Sequence, residues 1–531
     1  MIPVAAPDEK PIVRMHTMLR GMIAALALCL CAHTLEAQFR LPLTSADPGD
    51  RIDPSVRATM DTAKTVNVLI LGRTQLLAPI GGLDSFAVRS ARADRRQLRP
   101  RVIADLKRIA DTEQPAILGV LGDRKSTRLW IINAVASSAS PDEIRRLAAL
   151  DAVRFIYPAP LQPAAPQSDT GTLRAVLRPT ARPAFDPTGK RIAWYLDSLR
   201  VPKAWTESKA TGEGVLVASL DNGVNYLHPD LTKSIWINSR EVPQNGRDDD
   251  GNGYVDDVYG FDFVAMNAEV GAFTPGGPSQ HGSVTSAIIV GDGAEGIVTG
   301  VAPRARLMAL RGNGTITAPL AIQYVLNHGA DVLNMSFSLP DLGNNRGLWR
   351  MMADHATAAG LVLAGGAGNF RMNRPVPVQH WSPKDAPSVI SVGGVDSTMT
   401  LAPFSSMGPA EWSSVVLYGD FPMPNGILKP DVVAFPGAGY PVVAYPSGYV
   451  DPNATVRGNS LSGPQGSGVA ALMFSVAPSL PAWRVAAILR ATARDLGAPG
   501  PDNEFGAGLI DAAAAVRAAI AEVSGVGTAG R

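Results

Sequence analysis

The spacing of apolar and polar positions changes character several times along the chain. Val66-Asn67-Val68-Leu69-Ile70-Leu71-Gly72 is rich in aliphatic side chains and stops at a glycine, which predicts a strand closed by a turn. Residues 97–110 place Leu98, Val102, Ile103, Leu106 and Ile109 at helical spacing, so a helix is expected there. Residues 129–135 and 153–157 read as further strands. Between them Ser140-Pro141-Asp142-Glu143 marks a helix start, with Ser140 as N-cap and Pro141 in the first turn, running to about residue 150. Strand, helix, strand, helix, strand describes a small α+β unit. Residues 39–62 show no period and read as an irregular leader.

A second pattern begins after residue 214. Short apolar runs at 215–220, 306–310, 332–337, 361–364 and 389–395 alternate with helical stretches at 318–328, 348–359 and 481–496. Continuously apolar strands separated by helices predict an α/β fold, a parallel sheet covered by helices on both faces. Sites in such sheets lie at the carboxyl ends of the strands. The Pro-, Ala- and Gln-rich stretch between the two patterns reads as a linker, and the small-residue tail after about Ala519 is expected to fray.

Composition narrows the class. Among 531 residues, 46% are hydrophobic and 18% charged, which suits a globular protein with a large core. The net charge of +1 gives no reason to expect nucleic acid as a partner. The two cysteines, Cys29 and Cys31, both sit in the apolar stretch 22–32, after Arg14 and Arg20 and before a small residue at Ala37. That order reads as a secretory signal peptide over residues 1–37, with Met15 or Met18 as alternative starts. Once it is removed, no integral membrane span and no disulfide are expected.

Three local sequences carry chemistry. Leu220-Asp221-Asn222-Gly223 puts an acid at the end of a buried strand. Gln280-His281-Gly282 puts an imidazole at the start of a small-residue helix. Gly458-Asn459-Ser460-Leu461-Ser462-Gly463-Pro464 puts a hydroxyl at a helix N-terminus. Together with His228-Pro229-Asp230-Leu231, Gly300-Val301-Ala302-Pro303, Lys429-Pro430-Asp431 and Phe505-Gly506-Ala507-Gly508, all in order, these resemble the subtilisin-like serine peptidases (subtilases) over roughly residues 190–518.

The resemblance implies a catalytic triad of Asp221, His281 and Ser460. In it His281 serves as base and then acid, Asp221 holds its tautomer, and Ser460 is the nucleophile. Ser462 competes with Ser460, and His228 with His281, on sequence alone. The resemblance also implies Asn369, after Ala367-Gly368, as an oxyanion donor beside the Ser460 N–H. It implies Ser336, Phe337, Ser338 and Gly366 as substrate-binding positions, and a pro-domain in residues 66–158 that acts as the chain's own transient inhibitor. No cofactor is expected for catalysis, protein or peptide substrates are expected, and a monomer is expected.

Several residues depart from the family pattern: Asn222, Val284, Asn459, Gln465, and Leu339 after Ser338. An amide at 222 can still donate to the acid. The departures leave open a pseudoenzyme of the same fold that binds peptides without cutting them. An α/β-hydrolase esterase is opposed by the chain order and by the lack of Gly-x-Ser-x-Gly around Ser460. Asp248, Asp250, Asn252, Tyr254 and Asp256 follow the spacing of the first part of a Ca²⁺ loop, so structural calcium is expected, with a merely solvated acidic loop as the alternative. The domain map is therefore signal 1–37, pro-region 38–158, linker with processing site 159–190, catalytic domain 191–520 and tail 521–531.

Overall fold

The structure is a computed structural model. It describes residues 38–525 apart from 44, 160–172, 174, 178–181, 183, 272, 274–279, 313, 438, 440 and 451–456. The expected signal peptide, most of the linker and the last six residues lie outside the described residues.

The small unit is built on an antiparallel sheet of β1 (Val66–Gly72), β2 (Ser126–Leu129), β3 (Ala134–Ala139) and β4 (Val153–Pro158), in the order β2-β3-β1-β4. Residues 39–62 are not irregular throughout. Helix α1 (Pro54–Met60) forms there because Asp53 accepts from the Ser55 N–H and Pro54 occupies the first turn, and it buries Val56 and Met60. Helix α2 (Arg95–Leu121) runs eleven residues past its expected end. Pro115 removes one backbone donor, but Ile117 and Leu121 continue the buried stripe of Leu98, Val102, Leu106 and Ile109 and hold the helix on. Helix α3 (Pro141–Ala149) has the expected start, a full capping box between Ser140 and Glu143.

The expected strand over 129–135 is broken. Trp130–Ile132 form a 3-10 turn and Asn133 takes a left-handed φ of 44°. The Asn133 side chain secures this by donating to Thr74 O and Glu113. The turn pushes Ile131 and Ile132 out of the small sheet and into the large unit.

That large unit holds a seven-stranded, wholly parallel sheet: β5 (Leu216–Asp221), β6 (Gly260–Asp262), β7 (Arg306–Arg311), β8 (Val332–Met335), β9 (Val362–Gly366), β10 (Val389–Gly394) and β11 (Val432–Ala434). The spatial order is β11-β10-β9-β8-β5-β7-β6. The chain leaves β5 to one side, returns through β7, and then builds the other side from β8, so the order reverses around β5. On one face lie α4 (His281–Val290), α7 (Ser462–Val476) and α9 (Ala512–Val523), with α8 (Ala482–Thr492) packed against α9. On the other lie α5 (Thr317–Asn327) and α6 (Asn345–Ala358), in the same buried cluster as the small unit's Leu98, Ile131, Ile132 and Tyr157. Helix α9 continues past the expected fraying point at Ala519 because Ala512, Ala513, Ala515, Val516 and Ala519 form a buried strip and Asp511 caps its start. No helix among the described residues is long and apolar enough to cross a membrane.

Candidate active site

Asp221 is the last residue of β5, at the point where the sheet order reverses, and its side chain is 6% exposed. His281 opens α4, and its Nδ1 lies 2.8 and 2.9 Å from the two oxygens of Asp221. A carboxylate partner at Nδ1 fixes that nitrogen as the protonated one and leaves Nε2 as the base. Gly282 is what lets α4 approach so closely, since a Cβ there would meet Gly223 O at 2.2 Å. Burial works against the imidazolium, but the charge and hydrogen bond of Asp221 outweigh it and hold His281 above the usual histidine value.

Asp221 itself accepts from the Asn222 backbone N–H at 2.8 Å and from Thr285 Oγ1 at 3.3 Å. The donation expected from the Asn222 amide thus comes from its backbone, while its side-chain oxygen accepts from the Gly282 N–H at 3.1 Å.

Ser460 is half-buried and sits in the turn two residues before α7, not within it. Its Oγ donates to Ser336 O at 3.2 Å, and Ser336 Oγ donates back to Ser460 O at 3.0 Å. No hydrogen bond joins this hydroxyl to His281 among the described residues, and catalytic hydrogen bonds of unliganded sites commonly tighten only when substrate is bound. Gly366, at the end of β9, is the floor beneath: a Cβ there would lie 1.9 Å from Asn459 O and 2.9 Å from Ser460 N. The rival Ser462 is buried and its hydroxyl goes to Asn459 Oδ1. The rival His228 caps a short helix through Asp230 N.

Asn369 is exposed, and its Oδ1 accepts from the Asn459 N–H at 2.8 Å, which orients the amide. Its Nδ2 and the Ser460 N–H have no partner among the described residues, which leaves both free to donate. Sequence reasoning treated Asn459 only as a departure. Its buried amide donates to Gly368 O at 2.8 Å and Ser405 Oγ at 3.0 Å, tying the turn of Asn369 to the turn of Ser460. Gln465 likewise latches α7 to Phe435, accepting from its N–H and donating to its carbonyl. Both replacements satisfy buried backbone groups, a role that only the fold reveals.

The acidic loop gathers a different set from the one its spacing suggested. Carboxylate oxygens of Glu241, Asp248 and Asp250 lie within 4.8 Å of one another. Asn252 uses its side chain on Tyr254 N and Asp257, and Asp256 accepts from the Asn245 and Gly246 N–H groups. The Tyr254 ring packs against Phe261, Phe263 and Tyr324. The three clustered carboxylates suit a hard, oxygen-seeking cation, and Glu241 Oε2 is buried with no protein partner.

An acid at the end of a parallel strand, an imidazole at a helix start and a hydroxyl in the turn before another helix make an arrangement characteristic of hydrolases that work through an activated serine. The model of the Subtilase family matches residues 212–508, and the chain belongs to that family. At the level of the family, the chain matches serine-type peptidases. It is 26% identical over 458 residues to bacillopeptidase F of Bacillus subtilis (strain 168), covering 80% of this chain and 29% of that protein. To fervidolysin of Fervidobacterium pennivorans it is 26% identical over 425 residues, covering 74% of this chain and 54% of fervidolysin. To subtilisin DY of Bacillus licheniformis it is 28% identical over 313 residues, covering 58% of this chain and 92% of subtilisin DY. The chain therefore spans less than two-thirds of the length of bacillopeptidase F and of fervidolysin.

Proposed function

We propose that the protein is a serine endopeptidase acting through Asp221, His281 and Ser460 on protein or peptide substrates. The approach of His281 Nδ1 to Asp221 at 2.8 Å is the observation that carries this reading. His281 Nε2 takes the Ser460 proton as Oγ bonds to the substrate carbonyl carbon. The resulting oxyanion accepts from the Ser460 N–H and Asn369 Nδ2. The C–N bond then breaks, the amine leaves with the proton from His281, and water repeats the sequence on the acyl-enzyme to restore Ser460.

The small unit acts in this reading as a pro-region that the enzyme removes itself, between about residues 158 and 192. Support comes from its dock on α5 and α6, where Ile131 N–H donates to Gln323 Oε1 and Leu77 N–H to His355 Nε2. Export through residues 1–37, to the outside of the cell or the periplasm, belongs to the same reading. Intact mass of the purified protein beside a Ser460→Ala copy tests it. A shortened wild-type chain with a full-length variant is expected, and two full-length chains would reject self-processing.

A second reading, a peptide-binding fold with impaired catalysis, is favoured by the Ser460 hydroxyl pointing at Ser336 O. Fluorophosphonate labelling of Ser460 excludes it, and absence of labelling after removal of the small unit upholds it. Calcium would be held by Glu241, Asp248 and Asp250, and its contribution would be to stability, since the described residues contain no cysteine to form a disulfide. A melting temperature unmoved by EDTA would reject the metal.

A further inference from the structure

Lys384 is an unusual cation. It is 1% exposed, and its Nζ donates to one described hydroxyl, Ser338 Oγ, at 2.9 Å. The Phe337 ring lies 5.6 Å from the same nitrogen. The carboxylate next in sequence, Asp385, is the opposing charge nearby, but it makes no hydrogen bond to Lys384: its Oδ2 takes Arg346 at 2.9 Å and Ser382, and its Oδ1 has no partner among the described residues. A buried ammonium whose only hydrogen-bond partner among the described residues is a neutral hydroxyl is costly, and it is tolerated most readily where an anion completes it.

Its surroundings say where that anion comes from. Ser338 lies two residues beyond Ser336, which bonds to Ser460 in both directions. On the neighbouring strand Lys384 Cδ would sit 3.1 Å from a Cβ on Gly365, and the next residue, Gly366, abuts the Ser460 N–H. The residues that touch Ser460 and those that touch Lys384 are therefore close in sequence just past β8 and at the end of β9, which run side by side, although Gly365 and Gly366 themselves face opposite sides of the sheet. Ser338 is half-buried, its oxygen accepts from Lys384, and its own O–H has no acceptor among the described residues. The ammonium polarises that hydroxyl, so the donor it offers to the cleft prefers a charged acceptor.

We infer that Lys384 and Ser338 form an anion-recognising subsite that selects a glutamate or aspartate side chain in the substrate residue whose carbonyl Ser460 attacks. The inference rests on the peptidase reading above. Burial holds the Lys384 ammonium down to about 7, so the selection weakens as pH rises past neutrality and the free enzyme loses that proton.

The test compares peptide p-nitroanilides that differ only in the residue before the cleaved bond: glutamate, its uncharged isostere glutamine, and leucine. They are assayed on the purified full chain after processing. The kcat/KM for glutamate should exceed that for glutamine by about tenfold or more, the worth of one charged hydrogen bond over a neutral one. Ser338→Ala and Lys384→Met should each bring the ratio toward one. Because Lys384→Met alters a buried position, Ser338→Ala and the pH profile of the wild-type ratio carry the test if that variant does not fold. Cleavage after leucine or glutamine with no preference for glutamate overturns the inference alone. A protein that cleaves none of the three and takes no fluorophosphonate label overturns the peptidase reading, and this inference with it.

Discussion

Two imidazoles, one half-buried and one fully buried, show how differently one side chain is used in two regions of this molecule. In the cleft, His281 faces the carboxylate of Asp221 and is held above the usual histidine value despite burial. Where the small unit docks, His355 of α6 donates from Nδ1 to Ile131 O at 2.6 Å and accepts at Nε2 from Leu77 N–H at 3.3 Å. With only backbone dipoles for partners, burial wins and His355 is pushed down to about 4. A charged partner makes the cleft imidazole a proton acceptor near neutral pH. Neutral partners make the docking imidazole a fixed two-sided clasp that works only while uncharged.

The largest break in that comparison is Asp221→Asn, which gives His281 a neutral partner like those of His355. Turnover should fall by about 10⁴, the loss found when such an acid becomes an amide in a Ser–His–Asp site. Wild-type kcat/KM needs neutral His281, so it should fall as pH drops through a value above 6.5. In the variant that limb should move to lower pH, and an unmoved limb would show that another group sets it. Next comes Arg95→Met at the docking face. Arg95 is 5% exposed and pairs with Asp331 at 2.6 Å, while also donating to Gly360 O. Removing it leaves the buried carboxylate, among the described residues, with only the Leu216 N–H and the more distant Arg99 at 3.7 Å, so the unprocessed chain should lose about 3 kcal/mol against urea, the low end for breaking a buried pair. A change under about 1 kcal/mol would mean that water replaces the guanidinium at this interface.

The cleft was more legible in the sequence than the docking face, for a physical reason. Each reacting group of the cleft stands at a strand end or near a helix start, and those positions leave local signatures, such as the apolar run before Asp221 or Gly282 after His281. The parallel sheet was legible too, because strands buried on both faces are continuously apolar. Contacts made at long sequence distance leave no such mark. Nothing around His355 announces Ile131, 224 residues away. The 3-10 turn at Trp130–Ile132 reads as strand because the isoleucines that enter the large unit look like those of a sheet. Lys384 sits in an unremarkable loop until the fold puts it under Ser338, and Glu241 lies outside the acidic run whose Asp248 and Asp250 it joins.

A middle-sized test acts on the clasp. For a histidine depressed from 6.5 to about 4, the stabilisation is fully present above pH 6.5 and is lost as pH falls toward 4, a swing of about 3 kcal/mol. Asp354, one residue earlier and also buried, is pushed up to about 6. Its cost is relieved over the same acid range, so it opposes His355 and flattens the wild-type curve. The informative quantity is thus the difference between wild type and His355→Gln, in which a side-chain amide replaces the ring. The variant should lose less stability than wild type between pH 7 and pH 4, and superimposable losses in the two proteins would remove His355 from the docking energetics.

The smallest expected effect tests the cleft side at finer grain. Thr285 Oγ1 has one proton and two acceptors, Asp221 Oδ2 at 3.3 Å and Gly282 O at 3.2 Å. Its donation to the acid is therefore shared and weak. Thr285→Val keeps the shape and removes the donor, and the loss in kcat/KM should stay below about tenfold, the worth of one ordinary hydrogen bond. The sign of the pH shift is more telling than its size. A carboxylate that loses a donor holds its negative charge less comfortably and attracts the imidazolium more strongly. The acid limb should then move slightly upward, opposite to Asp221→Asn. A downward shift in both variants would mean that Thr285 positions Asp221 for His281, and that geometry rather than charge separates the cleft imidazole from the docking one.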